Sequence, residues 1–97
     1  MTLTVDNPQS ALSVGWWLEV GTTHPLQISY FGPFEDRTQA ECAKHEYLED
    51  FETEKANIVY ARAKLCQPRK RLINENELTI EDLRVSPVTF FEALVMR

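Results

Sequence analysis

Cys42, His45, Glu46 and Glu49 are the residues of this 97-residue chain whose types and spacing come nearest to a chemical site. Thiol, imidazole and carboxylate are the usual ligands of transition metals, and spacings of three, four and seven place all four on one side of a helix. A metal site needs ligands fixed from more than one segment, and Cys42-x-x-His45 has no second pair to complete it. An exposed thiol among solvated charges is the simpler reading, so no metal and no other cofactor is expected. Neither His24 nor His45 has a sequence context that pairs it with a nucleophile. The chain has no phosphate-binding glycine loop and no dinucleotide fingerprint. No catalytic residue is assigned, and the chain is read as a protein that is not an enzyme.

A second constellation is aromatic and basic. Trp17, Phe31 and Tyr60 are expected on one sheet face beside Arg62 and Lys64, with Arg69, Lys70 and Arg71 following in a loop. Aromatic rings interleaved with bases on an open antiparallel sheet are how small modules stack single-stranded RNA or DNA. No glycine-aromatic signature of such modules is present. The competing reading is that the C-terminal segment, through Phe90 and Phe91, or a second protomer covers these rings. Charge sharpens the contrast. Residues 35–55 carry eight acids against three bases, whereas residues 58–72 carry five bases and no acid. The net charge of −5 repels nucleic acid and anionic membranes on average. The acidic stretch is most simply a solvated helix face.

The elements that must position these groups follow from periodicity. Residues 1–12 read as a flexible arm, with Asp6-Asn7-Pro8 as a turn signal. From Val14 the chain alternates, with Val14, Trp16, Leu18 and Val20 on one face and Gly15, Trp17, Glu19 and Gly21 on the other. Gly21 to Pro25 is expected as a loop. Leu26 to Phe31 reads as a second strand with Leu26, Ile28 and Tyr30 opposed to Gln27, Ser29 and Phe31, and the pair is most simply an antiparallel hairpin. Gly32-Pro33 is expected to end it. Asp36 is the N-cap and Gln39 the capping-box partner of a helix from about Arg37 to Lys55, with Ala40, Ala43, Tyr47, Leu48 and Phe51 as its apolar stripe. Asn57 is expected to break that helix. In the strand from Ile58 to Cys66, the faces are Val59, Ala61, Ala63 and Leu65 inward, and Ile58, Tyr60, Arg62 and Lys64 outward. Thr79 to Leu83 has capping-box character. Ser86-Pro87 reads as N-cap and first residue of a final helix carrying Phe90, Phe91, Leu94 and Val95.

The motifs Trp16-Trp17-Leu18-Glu19-Val20, Tyr30-Phe31-Gly32-Pro33-Phe34 and Cys66-Gln67-Pro68 occur in this order. On them the chain resembles a family of small cyanobacterial proteins of unknown function, in which a WWVEI-type strand, a YFGPF corner, an acidic helix and a CQP-type strand end recur. The resemblance covers about residues 15–68. It implies a cytoplasmic protein of an oxygenic phototroph and transfers no catalytic residue.

The expected architecture is α+β: a three-stranded antiparallel sheet in β-β-α-β order, one long helix on one face and a short C-terminal helical segment. Residues 13–68 form the core domain, residues 1–12 the arm, and residues 69–97 a basic loop and helical tail. No run of residues is long and apolar enough to span a bilayer, and two cysteines without CxxC spacing suit a reducing compartment. The leading functional expectation is a small soluble regulator that binds a protein partner, with no membrane and a homodimer among the options. Its candidate contacts are Trp17, Phe31, Tyr60, Arg62, Phe90 and Phe91 on one surface, and Glu46, Glu49 and Glu52 on the acidic helix. By analogy, the target is a metabolic enzyme or photosynthetic complex, for example a ferredoxin-dependent enzyme of nitrogen assimilation. The alternative is single-stranded nucleic-acid binding through Tyr60, Arg62, Lys64, Arg69, Lys70 and Arg71.

Overall fold

The computed structural model describes residues 12–95; the proposed arm at residues 1–12 lies outside them except for Leu12. Strands β1 (Gly15–Thr23) and β2 (Leu26–Phe34) lead into helix α1 (Arg37–Thr53). Strand β3 (Ile58–Cys66), short strand β4 (Leu72–Asn74) and a 3-10 turn (Glu75–Glu77) follow, then helices α2 (Ile80–Arg84) and α3 (Val88–Val95). The sheet has four strands in the order β3-β1-β2-β4, each pair antiparallel. The α+β class stands, but the sheet is not three-stranded. Leu72–Asn74, placed by the sequence in a basic loop and tail, pairs with Gln27–Ser29 and closes the β2 edge. Three residues are too few to show a period of two.

The hairpin is tighter than expected. β1 runs through to Thr23, which pairs with Leu26, so only His24-Pro25 turns the chain. Asn57 donates its side-chain amide to the Thr23 hydroxyl at 2.6 Å and its backbone N–H to the His24 carbonyl at 3.3 Å, tying this end to β3.

Two β-bulges decide which side chains face which way, because an extra residue reverses the alternation beyond it. In β2 the register steps from Leu18↔Phe31 to Trp16↔Phe34, so Gly32-Pro33 is absorbed inside the strand and does not end it. Gly32 has a φ of 135°, open to glycine alone without strain. Phe31 and Phe34 consequently both face α1. In β3 the register steps from Gly21↔Tyr60 to Thr22↔Ile58. Ile58 therefore packs on the α1 side with Ala61, opposite to its expected outward placement.

Helix α1 starts as its residues dictate. The Asp36 side chain accepts the Gln39 N–H at 2.9 Å. The Gln39 side chain reaches back one residue further than a capping box requires, accepting from the Glu35 N–H at 3.2 Å. The helix ends two residues early for a reason other than Asn57. Lys55 takes a left-handed φ of 62°. Its N–H bonds the Glu52 carbonyl while the Ala56 N–H bonds the Phe51 carbonyl, both at 3.0 Å, which satisfies the last open carbonyls of the helix. The core beneath α1 is Leu18, Val20 and Phe51, surrounded by Phe31, Phe34, Tyr47, Leu48, Ala56, Ile58 and Ala61.

Candidate functional site

The other face of the sheet is where the polar chemistry gathers. Pairing places Trp17, Glu19, Gly21, Ile28, Tyr30, Tyr60, Arg62, Lys64 and Ile73 on it. At its centre is Glu19, a carboxylate only 2% exposed. A buried charge is tolerable only when paired and hydrogen-bonded. Glu19 accepts from Arg62 Nε at 2.7 Å and from the Tyr30 hydroxyl at 2.5 Å, with Lys64 Nζ at 3.6 Å. Burial, and then the Glu19 charge, push the phenols of Tyr30 and Tyr60 well above their ordinary value. Gly21 leaves room for Tyr60: a Cβ there would meet the ring at 2.1 Å.

This face is not open. Helix α3 rests on β3 and β1, and Phe90, with no exposed surface, meets the Tyr60 ring edge-on at 5.3 Å. Arg62 reaches past Glu19 to the Val85 carbonyl at 2.8 Å. Arg69 pairs with Asp82 at 2.6 Å and donates to the Glu77 carbonyl at 2.7 Å; Lys70 pairs with Glu77. Burial works against the Asp82 carboxylate, but the Arg69 bond and those from Thr79 outweigh it and hold its pKa below the ordinary value. The Lys70 bond likewise lowers that of Glu77. The expected capping box at Thr79 forms with Asp82, so one carboxylate both starts α2 and anchors it to the basic loop. Ser86 does not cap α3. Its hydroxyl donates to the Leu83 carbonyl at 2.7 Å, and the Pro87 carbonyl accepts the first bond of α3.

The candidate residues therefore separate. Tyr60 and Phe90 come together in an internal layer, and Trp17 is buried further along the same face. Phe31 is on the opposite side, because the two-residue hairpin pairs it with Leu18, and it is stacked on Tyr47 with ring centroids 4.4 Å apart. Phe91, beside Phe90 in sequence, points away and is exposed. Arg62, Lys64, Arg69 and Lys70 are engaged with carboxylates. Arg71 lies 5.3 Å from the Trp17 ring and contacts the Gly32 carbonyl at 3.4 Å. Glu46, Glu49 and Glu52 are exposed on α1, with Glu49 3.1 Å from His45. Cys42 is exposed, and no group of three potential metal ligands clusters among the described residues. The Cys66 thiol is pushed up by burial.

On the α1 side, a groove of about 460 Å³ opens between the helix and the β2–β4 edge. Its floor is Phe31, Tyr47 and Phe51; its rim carries Asp50, Glu54 and Arg71. The sequence reading missed Glu19, Tyr30, Asp82, Tyr47, Asp50 and Glu54. The available signal for the first was a carboxylate between Leu18 and Val20 in an otherwise apolar alternation.

Among the described residues no helix is long and apolar enough to cross a membrane. Comparison with curated proteins and with solved structures gave no match. Residues 9–73 match a family model described as a domain of unknown function, DUF1816. That segment takes in α1 and the sheet up to Ile73. The chain belongs to the DUF1816 family.

Proposed function

We propose that this protein is a non-enzymatic regulator that works by binding another protein through the acidic C-terminal half of α1 and the groove beside it. The observation that carries this reading is the position of the carboxylates. Glu46, Glu49, Asp50, Glu52 and Glu54 crowd the end of α1 where the helix dipole is negative, and no basic residue occupies its last turn. Acids there cost stability rather than add it. Asp50 and Glu54 flank an aromatic floor that suits the alkyl stem and cationic head of a lysine or arginine. The fitting partner is a basic segment of a protein. The setting we propose is the cytoplasm of an oxygenic phototroph, with a metabolic enzyme or photosynthetic complex as target, for example a ferredoxin-dependent enzyme of nitrogen assimilation.

The test is a tagged pull-down from cyanobacterial lysate with wild-type protein and with Glu46, Glu49 and Glu52 all changed to Lys. Stoichiometric capture by the wild type that weakens with salt and is lost in the triple variant is expected. Equal capture by both proteins at low salt would sink the acidic-docking reading. Single-stranded nucleic-acid binding has less support, because Tyr60 lies under Phe90 and Arg62, Lys64, Arg69 and Lys70 each face a carboxylate. Absorbance at 260 nm on the purified protein, before and after nuclease, checks it.

A further inference from the structure

We infer that the sheet face beneath α2 and α3 is a second docking surface, occupied in this chain by its own C-terminal segment, and that its partner in trans is a short helix with an aromatic anchor entered through an acidic turn.

Three observations converge on it. First, the family match ends at Ile73, so α1 and nearly the whole sheet lie inside it while the cover, from the 3-10 turn through α3, lies outside. Trp17, Ile28 and Ile73 are buried on that face, and the segment that packs on it through Phe90 is separable in sequence from the domain that carries it. Second, the attachment has the form of a peptide in a groove. One aromatic anchor, Phe90, sits against Tyr60. Charge-assisted bonds from Arg62, Arg69 and Lys70 hold the Val85 carbonyl, Asp82 and Glu77 along a basic rim. Fully buried aromatic anchors ringed by polar contacts are how helices dock in grooves. Third, the fit is incomplete. The Tyr60 hydroxyl is buried and makes no well-formed hydrogen bond among the described residues, its neighbouring carboxylate Glu19 being engaged by Arg62 and Tyr30, and Phe90 offers it no acceptor. A buried polar atom left unpaired weakens the arrangement that buries it. The segment also turns Ile80, Val88 and Phe91 to the outside, around a shallow apolar groove of about 450 Å³; a segment serving only as a cover would present a polar outer surface. A helix that brings an acceptor to Tyr60 would displace it.

The experiment uses the full chain carrying Phe90→Asp and a fluorescein-labelled peptide of residues 75–97 as probe, read by anisotropy. Saturable binding to the F90D protein is expected, at least tenfold tighter than to the wild type, whose own segment competes. The same peptide carrying Phe90→Ala should bind at least tenfold more weakly. No binding by F90D protein that keeps its near-ultraviolet dichroism, equal binding to both proteins, or equal binding by both peptides would each overturn the inference. Loss of the fold in F90D overturns separability directly. Hydrogen exchange on the unmodified chain gives an independent reading: amides of residues 80–95 should exchange at least tenfold faster than those of β1 without denaturant. Equal protection of the two would contradict the inference.

Discussion

The two faces of the sheet are built by different physics from the same strands. Toward α1, Leu18, Val20, Phe31 and Phe51 meet in an apolar layer. Toward α2 and α3, Glu19, Tyr30, Arg62 and Lys64 form a hydrogen-bonded ionic cluster beside Trp17, Tyr60 and Phe90. Apolar burial is non-directional and accepts any cover of similar volume. A buried ionic cluster is directional, and it accepts only a cover that matches its donors. The first face fixes how firmly the domain stands; the second fixes what is allowed to lie on it.

Four substitutions or conditions test that contrast. The largest effect is expected at Leu18, which has no exposed surface. Leu18→Ala should cost about 3–5 kcal/mol, measured by urea denaturation, and should lower the protection of every element together. Glu19→Ala should cost less, about 2–3 kcal/mol, because Arg62 and Lys64 are part-exposed and turn to water instead of staying buried and unpaired. Its loss of protection should concentrate in α2 and α3. A Glu19→Ala effect as large as that of Leu18→Ala and equally felt in α1 would break the comparison. Gly21→Ala forces a methyl into the Tyr60 ring and should cost about 1–3 kcal/mol, and much less when the same change is made in a Tyr60→Ala background. The smallest destabilising effect is a pH effect. Tyr30 and Tyr60 are held protonated in the folded chain and ionise near their ordinary value of 10.0 once unfolded. Unfolding above pH 10 therefore releases protons, and stability falls as pH rises. Because both residues are only part-buried, the fall should be less than about 1.4 kcal/mol per pH unit for each phenol. Comparing urea midpoints at pH 9 and pH 11 checks this, and Tyr30→Phe should flatten the difference.

Much of the α1 face was legible from residue types. Asp36 capped the helix as its side chain suggests, and the stripe from Ala40 to Phe51 found the sheet. Thr79 and Asp82 also behaved as a local rule predicts. What escaped the sequence were effects of a single residue acting at a distance. The two-residue hairpin register paired Phe31 with Leu18 toward α1, the bulge at Gly32-Pro33 brought Phe34 to the same side, and the one at Val59 did the same for Ile58. The Glu19–Arg62 contact joins residues 43 apart, brought together only when β1 and β3 are in register. The covered state of the Trp17–Tyr60 face rests on tertiary packing that no window of the sequence contains. Acidic exposure on α1, by contrast, needed no long-range knowledge, because charges with no local partner stay in water.

The two bulges have a consequence for how relatives of this chain should be aligned. Each works as a phase shifter: the count of residues at that point, more than their identity, chooses which half of the downstream strand looks up or down. Deleting Val59 would restore strict alternation with Ile58 still opposite Thr22 on the α1 side, whereas losing the bulge while keeping Val59 would swing Ile58 to the side that now belongs to Tyr60. A one-residue gap at Gly32-Pro33 or Val59 in a homologue therefore removes a bulge and leaves inside and outside as they are, whereas the same gap elsewhere in these strands exchanges them and should be weighed more heavily than several substitutions.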